Sequence, residues 1–434
     1  MAYKILSLDG GGSWAMIQTR VLMDIYGDIR GHELLIKFDM VIANSGGSLV
    51  LAALCQDMKL SEVTNVFMDK TLRKKVFSAL SFWEKLKLKN IASLTNILGP
   101  KYSTERKLSG LIEVLKSKDH LFQNGQLNKP IIETPLHELP AIIKKDNLQL
   151  LIVGFDYFKE RASFFRSNTK SKTDQYSLYY QVTLAHAIHA SSNAPVNYFD
   201  EPALVNSKLL NGNDSRNTLY WDGAVSGFNN PVLAGLIEAK TNVPLQSEQY
   251  CILSLGTGTG GRANIADYAS STDIRLTEIY NKNKDNKLAY TKTSSNFFQD
   301  IKKMSTSILG DPPDSASFIA YCILDPLQRN TANLIRINPC IKPELNADKI
   351  YVAPAVYRTE KNGLDKFLKL IDMDMDAIED DEVALISQLC DKFIVNAGEP
   401  CLPNQLIRGD IKSLHLGQGN FHDAKQRWLA CVDD

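Results

Sequence analysis

Ser45 stands in a stretch of chain with almost no room around it. An apolar run, Phe38-Asp39-Met40-Val41-Ile42-Ala43, leads into Asn44-Ser45-Gly46-Gly47-Ser48, and a second run, Leu49-Val50-Leu51-Ala52-Ala53-Leu54, follows. A buried strand, a tight turn and a helix fit that order. A serine at the tip of such a turn sits in strained backbone, so its neighbours must lack bulk. Ala43, Gly46 and Gly47 meet that need. This is the layout of a nucleophile elbow, with Ala43 in place of the first glycine of G-x-S-x-G. The helix that follows would point N-terminal amides at the serine and favour negative charge there. Taken alone, the same residues also fit a plain strand-to-helix turn with Ser45 as its cap.

Two further segments bear on that choice. Leu8-Asp9-Gly10-Gly11-Gly12-Ser13 ends an N-terminal apolar run, Tyr3–Leu8. Three consecutive glycines can present bare N–H groups to an anion, and acyl transfer needs such donors for its tetrahedral intermediate. A nucleotide-phosphate loop is the competing use. G-x-G-x-x-G fails because Ala15 stands at the third glycine, and no Walker sequence occurs. The second segment is Leu219-Tyr220-Trp221-Asp222-Gly223-Ala224. It sets a carboxylate at the end of an aromatic run, before a turn glycine. Asn230-Pro231 just beyond reads as a helix start.

In this order the segments resemble the patatin-like phospholipase family, with its D-G-G-G loop, serine elbow and D-G-[GA] aspartate. The likeness continues through Lys101-Tyr102-Ser103, the strand Leu150–Asp156 with Ser163–Ser167, Ala190-Ser191-Ser192-Asn193-Ala194-Pro195, and Ser254-Leu255-Gly256-Thr257-Gly258. The resemblance implies a three-layer α/β fold with a central, mainly parallel sheet and helices on both faces. It implies a Ser45–Asp222 dyad without histidine, and an oxyanion hole from Gly10, Gly11, Gly12 and Gly46. The expected activity is cleavage of fatty-acyl esters in membrane phospholipids or lysophospholipids through an acyl-enzyme, with no metal or organic cofactor. Two alternatives stand beside it: a phospholipase gated by a signal, and a catalytically weak member serving storage or interaction. The family loop usually continues with Arg-Gly. Here Trp14-Ala15 replaces them, which removes a fixed positive charge and leaves Trp14 available to line the acyl site.

The chain has 434 residues, and Lys+Arg 49 balances Asp+Glu 49, so no basic field points to nucleic acid. Its seven cysteines are scattered, without C-x-x-C, and are expected to be reduced thiols. No signal peptide or membrane-length apolar run is visible, so the expected location is cytoplasmic, with membranes touched only at their surface. No sequence feature fixes an oligomeric state.

Apolar runs at 3–8, 38–43, 148–155 and 250–255 read as strands, and patterns at 46–57, 104–116 and 231–240 as helices. The expected organisation is a catalytic core over 1–262, an insertion or cap region continuing it over 263–345, and a helical region over 346–434. Within the cap region, 262–310 is polar and most loop-like at Asn281–Lys287.

Between Lys70 and Lys89, seven basic residues alternate with Phe77, Phe82 and Trp83. Contact with anionic lipid and an ordinary solvated basic face both fit. The acidic run Asp372–Glu382 precedes a helix marked by Val383, Ile386, Cys390 and Phe393. It lacks the glycine of a calcium loop, since Ala377 occupies that position. His186 and His189 share a helix face and are expected to be structural or solvent-facing.

Overall fold

The sheet grows outward from the first strand, β1 (Tyr3–Leu8). In the computed structural model it lies parallel to β2 (Met40–Ala43) on one side and to β8 (Tyr250–Leu255) on the other. The structure describes residues 2–87, 99–115, 121–122, 129–168, 180–209, 215–242, 249–258, 275, 312–348, 350–395, 401–409 and 414–433. Of the sequence expectations, the polar stretch 262–310 apart from Arg275, the Lys89 position and the helix-closing Gly398 and Pro400 fall outside these residues.

The remaining strands are β3 (Gln149–Asp156), β4 (Arg161–Arg166), β5 (Tyr180–Gln181), β6 (Ala203–Leu209), β7 (Ser215–Asp222) and β9 (Leu334–Ile337). Their order is β9-β8-β1-β2-β3-β7-β6-β5, with β4 folded back on β3. The five strands from β9 to β3 run parallel, while β7 pairs antiparallel with β3 and β6 antiparallel with β7. Parallel strands must be covered on both faces, and these are. Leu6, Leu8, Val41, Ala43 and Ile152 face one apolar layer; Ile5, Met40, Ile42, Leu151 and Val153 face the other. The three-layer α/β expectation therefore holds.

The elbow helix α2 (Ser45–Cys55) lies in the first layer with α1 (Met16–Tyr26), and α7 (Val232–Asn242) in the second. Between α2 and α7 in sequence come α3 (Leu60–Met68), α4 (Lys70–Val76), α5 (Thr104–Leu115) and α6 (Leu184–Ser191). The C-terminal helices α8 (Gly363–Asp372), α9 (Asp380–Ile394) and α10 (Phe421–Asp433) pack against the first layer. In α9 the expected stripe Val383, Ile386, Cys390 and Phe393 is buried throughout. Each such side chain contributes about 1.5–3 kcal/mol of transfer free energy. In α10, Trp428 stacks on Phe38 at 5.8 Å between ring centroids.

The fold corrects the cysteine expectation at one pair. Cys251 of β8 and Cys431 of α10 form a disulfide across 180 residues of sequence. No local spacing signals this bond, because the sheet and the last helix bring its ends together. Cys55, Cys322, Cys340, Cys390 and Cys401 are free thiols. Among the described residues, no helix is long and apolar enough to cross a membrane.

Candidate active site

Asn44 ends the approach from β2, and Ser45 takes a left-handed φ of 47°. For a residue other than glycine that conformation is strained by about 1–3 kcal/mol and needs support. The support comes from α6. The Ser45 N–H donates to Ser191 Oγ at 3.0 Å, and Ser191 Oγ donates to Asn44 Oδ1 at 3.4 Å. Asn44 Nδ2 in turn donates to Asp222 Oδ1 at 3.1 Å. Asn44 and Ser191 are both fully buried. One closed chain of hydrogen bonds thus fixes the serine backbone and the aspartate together. Gly46 and Gly47 are small because the loops demand it: a Cβ on Gly46 would meet the Gly12 carbonyl at 2.6 Å, and one on Gly47 the Leu8 carbonyl at 2.5 Å.

Asp222 ends β7, where the antiparallel register sets it beside Gly154 of β3. Its Oδ1 also accepts from the Ala224 N–H at 2.9 Å. Burial pushes its carboxyl above the usual range. The Ser45 side chain, the Ala224 amide, Asn44 and the charge of Lys107 hold it back. The Ser45 side chain thus lies near enough to the desolvated carboxylate to favour its ionised form. His186 and His189 do not join them. His186 pairs through Nδ1 with Thr183 at 2.8 Å, and His189 is buried in α6. Burial lowers both imidazoles, and His189 falls further beside Lys107 and His186.

The glycine loop comes up against the elbow. Of the four expected donors, Gly10 stands apart, because its N–H is already given to the Asn229 carbonyl at 2.8 Å. Among the described residues, no acceptor takes the N–H of Gly11 or Gly12. Gly46 belongs to the first turn of α2, whose amides have no partner within the helix. Gly12 has φ 56°, and a Cβ there would strike the Met375 carbonyl at 2.3 Å.

Behind the loop lies a group that the sequence does not advertise. Arg336 of β9 donates to Asp9 Oδ2 at 2.6 Å and to Ser254 Oγ at 2.9 Å, and both charges are buried. Burial raises the Asp9 carboxyl to about 6 against the pull of Arg336. The arginine missing after the glycines is thus answered by one 327 residues away in sequence.

Gly12, Ser45 and Gly46 share the lining of a small pocket with Leu49, Val76, Phe77, Lys107, Tyr198, Phe199, Met375 and Asp376. Trp14 is not in that lining. Its indole N–H donates to the Asp374 carbonyl at 3.0 Å, so it anchors a neighbouring segment instead of meeting an acyl chain. That segment, residues 373–379 between α8 and α9, is a strap that adds Met375 and Asp376 to the pocket lining. Ser13 N–H holds the Met375 carbonyl at 3.0 Å. Tyr102 and Lys101 hold the Asp376 carboxylate at 2.5 and 3.0 Å. Lys70 pairs with Glu379 at 2.7 Å, and Arg73 with Asp380 at 2.6 Å.

The acidic run is therefore committed largely to cations, and the basic stretch after Lys70 is partly committed in return. That stretch forms α4 and a separate short helix, Phe82–Lys87, rather than one amphipathic helix. Arg73 is buried, Phe77 joins the pocket wall, and Trp83 stays 73% exposed.

Comparison with known proteins follows this geometry. The sequence model of the family described as patatin-like phospholipase matches residues 6–236, which span the glycine loop, the elbow and Asp222. Curated proteins return no match. Among solved structures, VipD from Legionella pneumophila aligns at 15% identity and a TM-score of 0.29, covering 91% of this chain and 74% of that one. With more than half its length matched, the chain belongs to the patatin-like phospholipase family.

Proposed function

We propose that the protein is a serine acyl hydrolase that cleaves fatty-acyl esters of membrane phospholipids or lysophospholipids. The observation that carries this is the meeting of Ser45, in strained backbone, with the buried Asp222 under one hydrogen-bond network. Asp222 takes the Ser45 proton as Oγ attacks the ester carbonyl, and the amides of Gly11, Gly12 and Gly46 receive the oxyanion. Each such donor is worth roughly 3–4 kcal/mol of barrier. Collapse expels the alcohol with the proton from Asp222, and leaves an acyl-enzyme. Water then attacks that ester, giving its proton to Asp222, and free fatty acid departs as Ser45 is reprotonated. The raised carboxyl helps, because an ordinary aspartate at pKa ~3.9 is a weak base. The apolar wall of Val76, Phe77 and Phe199 suits a fatty chain. Exposed Trp83 beside basic residues favours docking on an anionic lipid surface.

The test is fatty-acid release from phosphatidylcholine vesicles with and without phosphatidylserine. Wild type should release fatty acid, faster on the anionic vesicles at low salt, and Ser45→Ala should release none. Release by folded Ser45→Ala would remove Ser45 from the mechanism, and equal rates on both vesicles would remove the anionic docking.

The strap favours a second, gated reading. Met375 and Asp376 line the pocket beside Ser45, which is 6% exposed. Two of the pins are ionic, Lys70–Glu379 and Lys101–Asp376, beside the neutral bonds from Ser13 and Trp14, so an anionic surface or ligand that competes for the accessible Lys70 and Lys101 would loosen the strap. Loosening it with Asp374→Asn and Asp376→Asn together should raise turnover of a soluble short-chain ester several-fold. An unchanged or lower rate in the folded double variant would count against a gate.

A further inference from the structure

The dyad leaves one buried ionisable group unused. Lys107 of α5 is fully buried, a state lysine almost never reaches without a task or a partner. It occupies the inward stripe of its helix with Leu111 and Leu115, where an apolar residue is expected. Its Nζ donates to the His189 carbonyl at 3.0 Å and to Asn193 Oδ1 at 3.3 Å. It also lies 4.4 Å from the centre of the Phe199 ring. A carbonyl, an amide oxygen and an aromatic face are all electron-rich, and together they suit an ammonium rather than a neutral amine. The same side chain lines the Ser45 pocket.

We infer that Lys107 is a positioning residue whose positive charge keeps the buried Asp222 carboxylate ionised, the part an imidazolium does not play here. The inference rests on the Ser45–Asp222 reading. Asn193 ties the two ends together: its side-chain oxygen holds the ammonium, and its backbone carbonyl accepts the Asp222 N–H at 3.0 Å. The other charged or titratable groups nearby are occupied or neutral. His189 and His186 are held uncharged by burial, and Asp376 is bound by Lys101 and Tyr102. Lys107 and Asp222 act on each other electrostatically: burial lowers the lysine well below its usual range, and the aspartate charge opposes that. A dry carboxylate would otherwise stay protonated and be no base at all. An opposite charge favours the ionised carboxyl, and the Lys107 charge does so here in addition to the hydrogen bonds from Ser45, Ala224 and Asn44.

The experiment is the pH dependence of the rate at which a fluorophosphonate labels the full-length protein. Wild type is compared with Lys107→Gln, Lys107→Met and Lys107→Arg, each checked for folding by thermal melting. In the uncharged variants the acid limb should move up by about one pH unit or more, so labelling slows roughly tenfold at acidic pH and recovers when alkaline. Lys107→Arg should keep the limb near that of wild type. A folded Gln or Met variant with an unmoved limb would overturn the proposal and leave Lys107 as a tie between helices.

If neither uncharged variant folds, the Lys107 amine is followed in the wild-type protein by NMR of its Cε: an ammonium through neutral pH supports the proposal, and a neutral amine there overturns it. Failure of the dyad looks different: wild type would not label, or Ser45→Ala would still label.

Discussion

Asp222→Asn should lower ester turnover by roughly 10²–10⁴-fold while leaving the fold in place. The amide oxygen can still accept from Ala224 N–H and Asn44 Nδ2, which Asp222 Oδ1 now does at 2.9 and 3.1 Å. What is lost is the lone pair that takes the Ser45 proton. The direction of the stability effect follows from the raised carboxyl. A carboxyl raised in the folded state is favoured protonated, and its stabilising effect is lost as pH rises through its folded value. At neutral pH the ionised form therefore costs stability, and an uncharged Asn removes that cost. Lys107 loses a counter-charge in the same variant but can shed its proton. The melting temperature should stay within about 4 °C of wild type. A folded Asp222→Asn protein with wild-type turnover would take the base role away from Asp222.

The second large effect lies behind the glycine loop. Arg336→Met leaves Asp9 buried without its cation, and breaking one side of a buried pair typically costs about 3–5 kcal/mol. The melting temperature should drop by roughly 3–6 °C at neutral pH. Turnover should fall too, because Asp9 immediately precedes the oxyanion glycines. The deficit should depend on pH with a definite sign. Asp9 already titrates at about 6 with Arg336 beside it, so below that value it binds a proton and no longer needs the cation. The gap between wild type and variant should therefore narrow as pH falls through about 6 and widen above it. Equal melting temperatures above that pH would show that the pair does not support the loop.

These two predictions divide along the line between what the sequence announces and what only the fold assembles. Asp222 was legible because Asp-Gly after an aromatic run is a local signal, and so was Ser45, whose elbow needs small residues on both sides. The strands at 3–8 and 250–255 were legible because parallel strands buried on both faces read as continuous apolar runs. Arg336 was not. It comes from an edge strand nearly the whole chain away from Asp9, and an arginine inside Leu334–Ile337 carries no local mark of its partner. The strap was visible only as an acidic run. Its role depends on Lys70, Arg73, Lys101 and Tyr102, which the fold brings to it from far upstream.

Lys107 had a signal that went unused: a lysine in the apolar stripe of a helix is anomalous by itself. Ser191 sat inside a recognised motif, yet its task of holding the Ser45 amide appears only once α6 is packed on the elbow. The Cys251–Cys431 pair and the commitment of the Gly10 amide to Asn229 are likewise products of tertiary contact. Helix boundaries moved by a residue or two, as expected for ends that fray or cap.

The central claim is that Ser45 is the nucleophile and Asp222 its base. The most direct measurement is mass-spectrometric mapping of the adduct formed when the intact protein reacts with a fluorophosphonate. The account predicts one modified residue, Ser45, with labelling abolished in Ser45→Ala and slowed by orders of magnitude in Asp222→Asn. An adduct on Ser48 or another serine, or Ser45 labelling at an unchanged rate in Asp222→Asn, would contradict it.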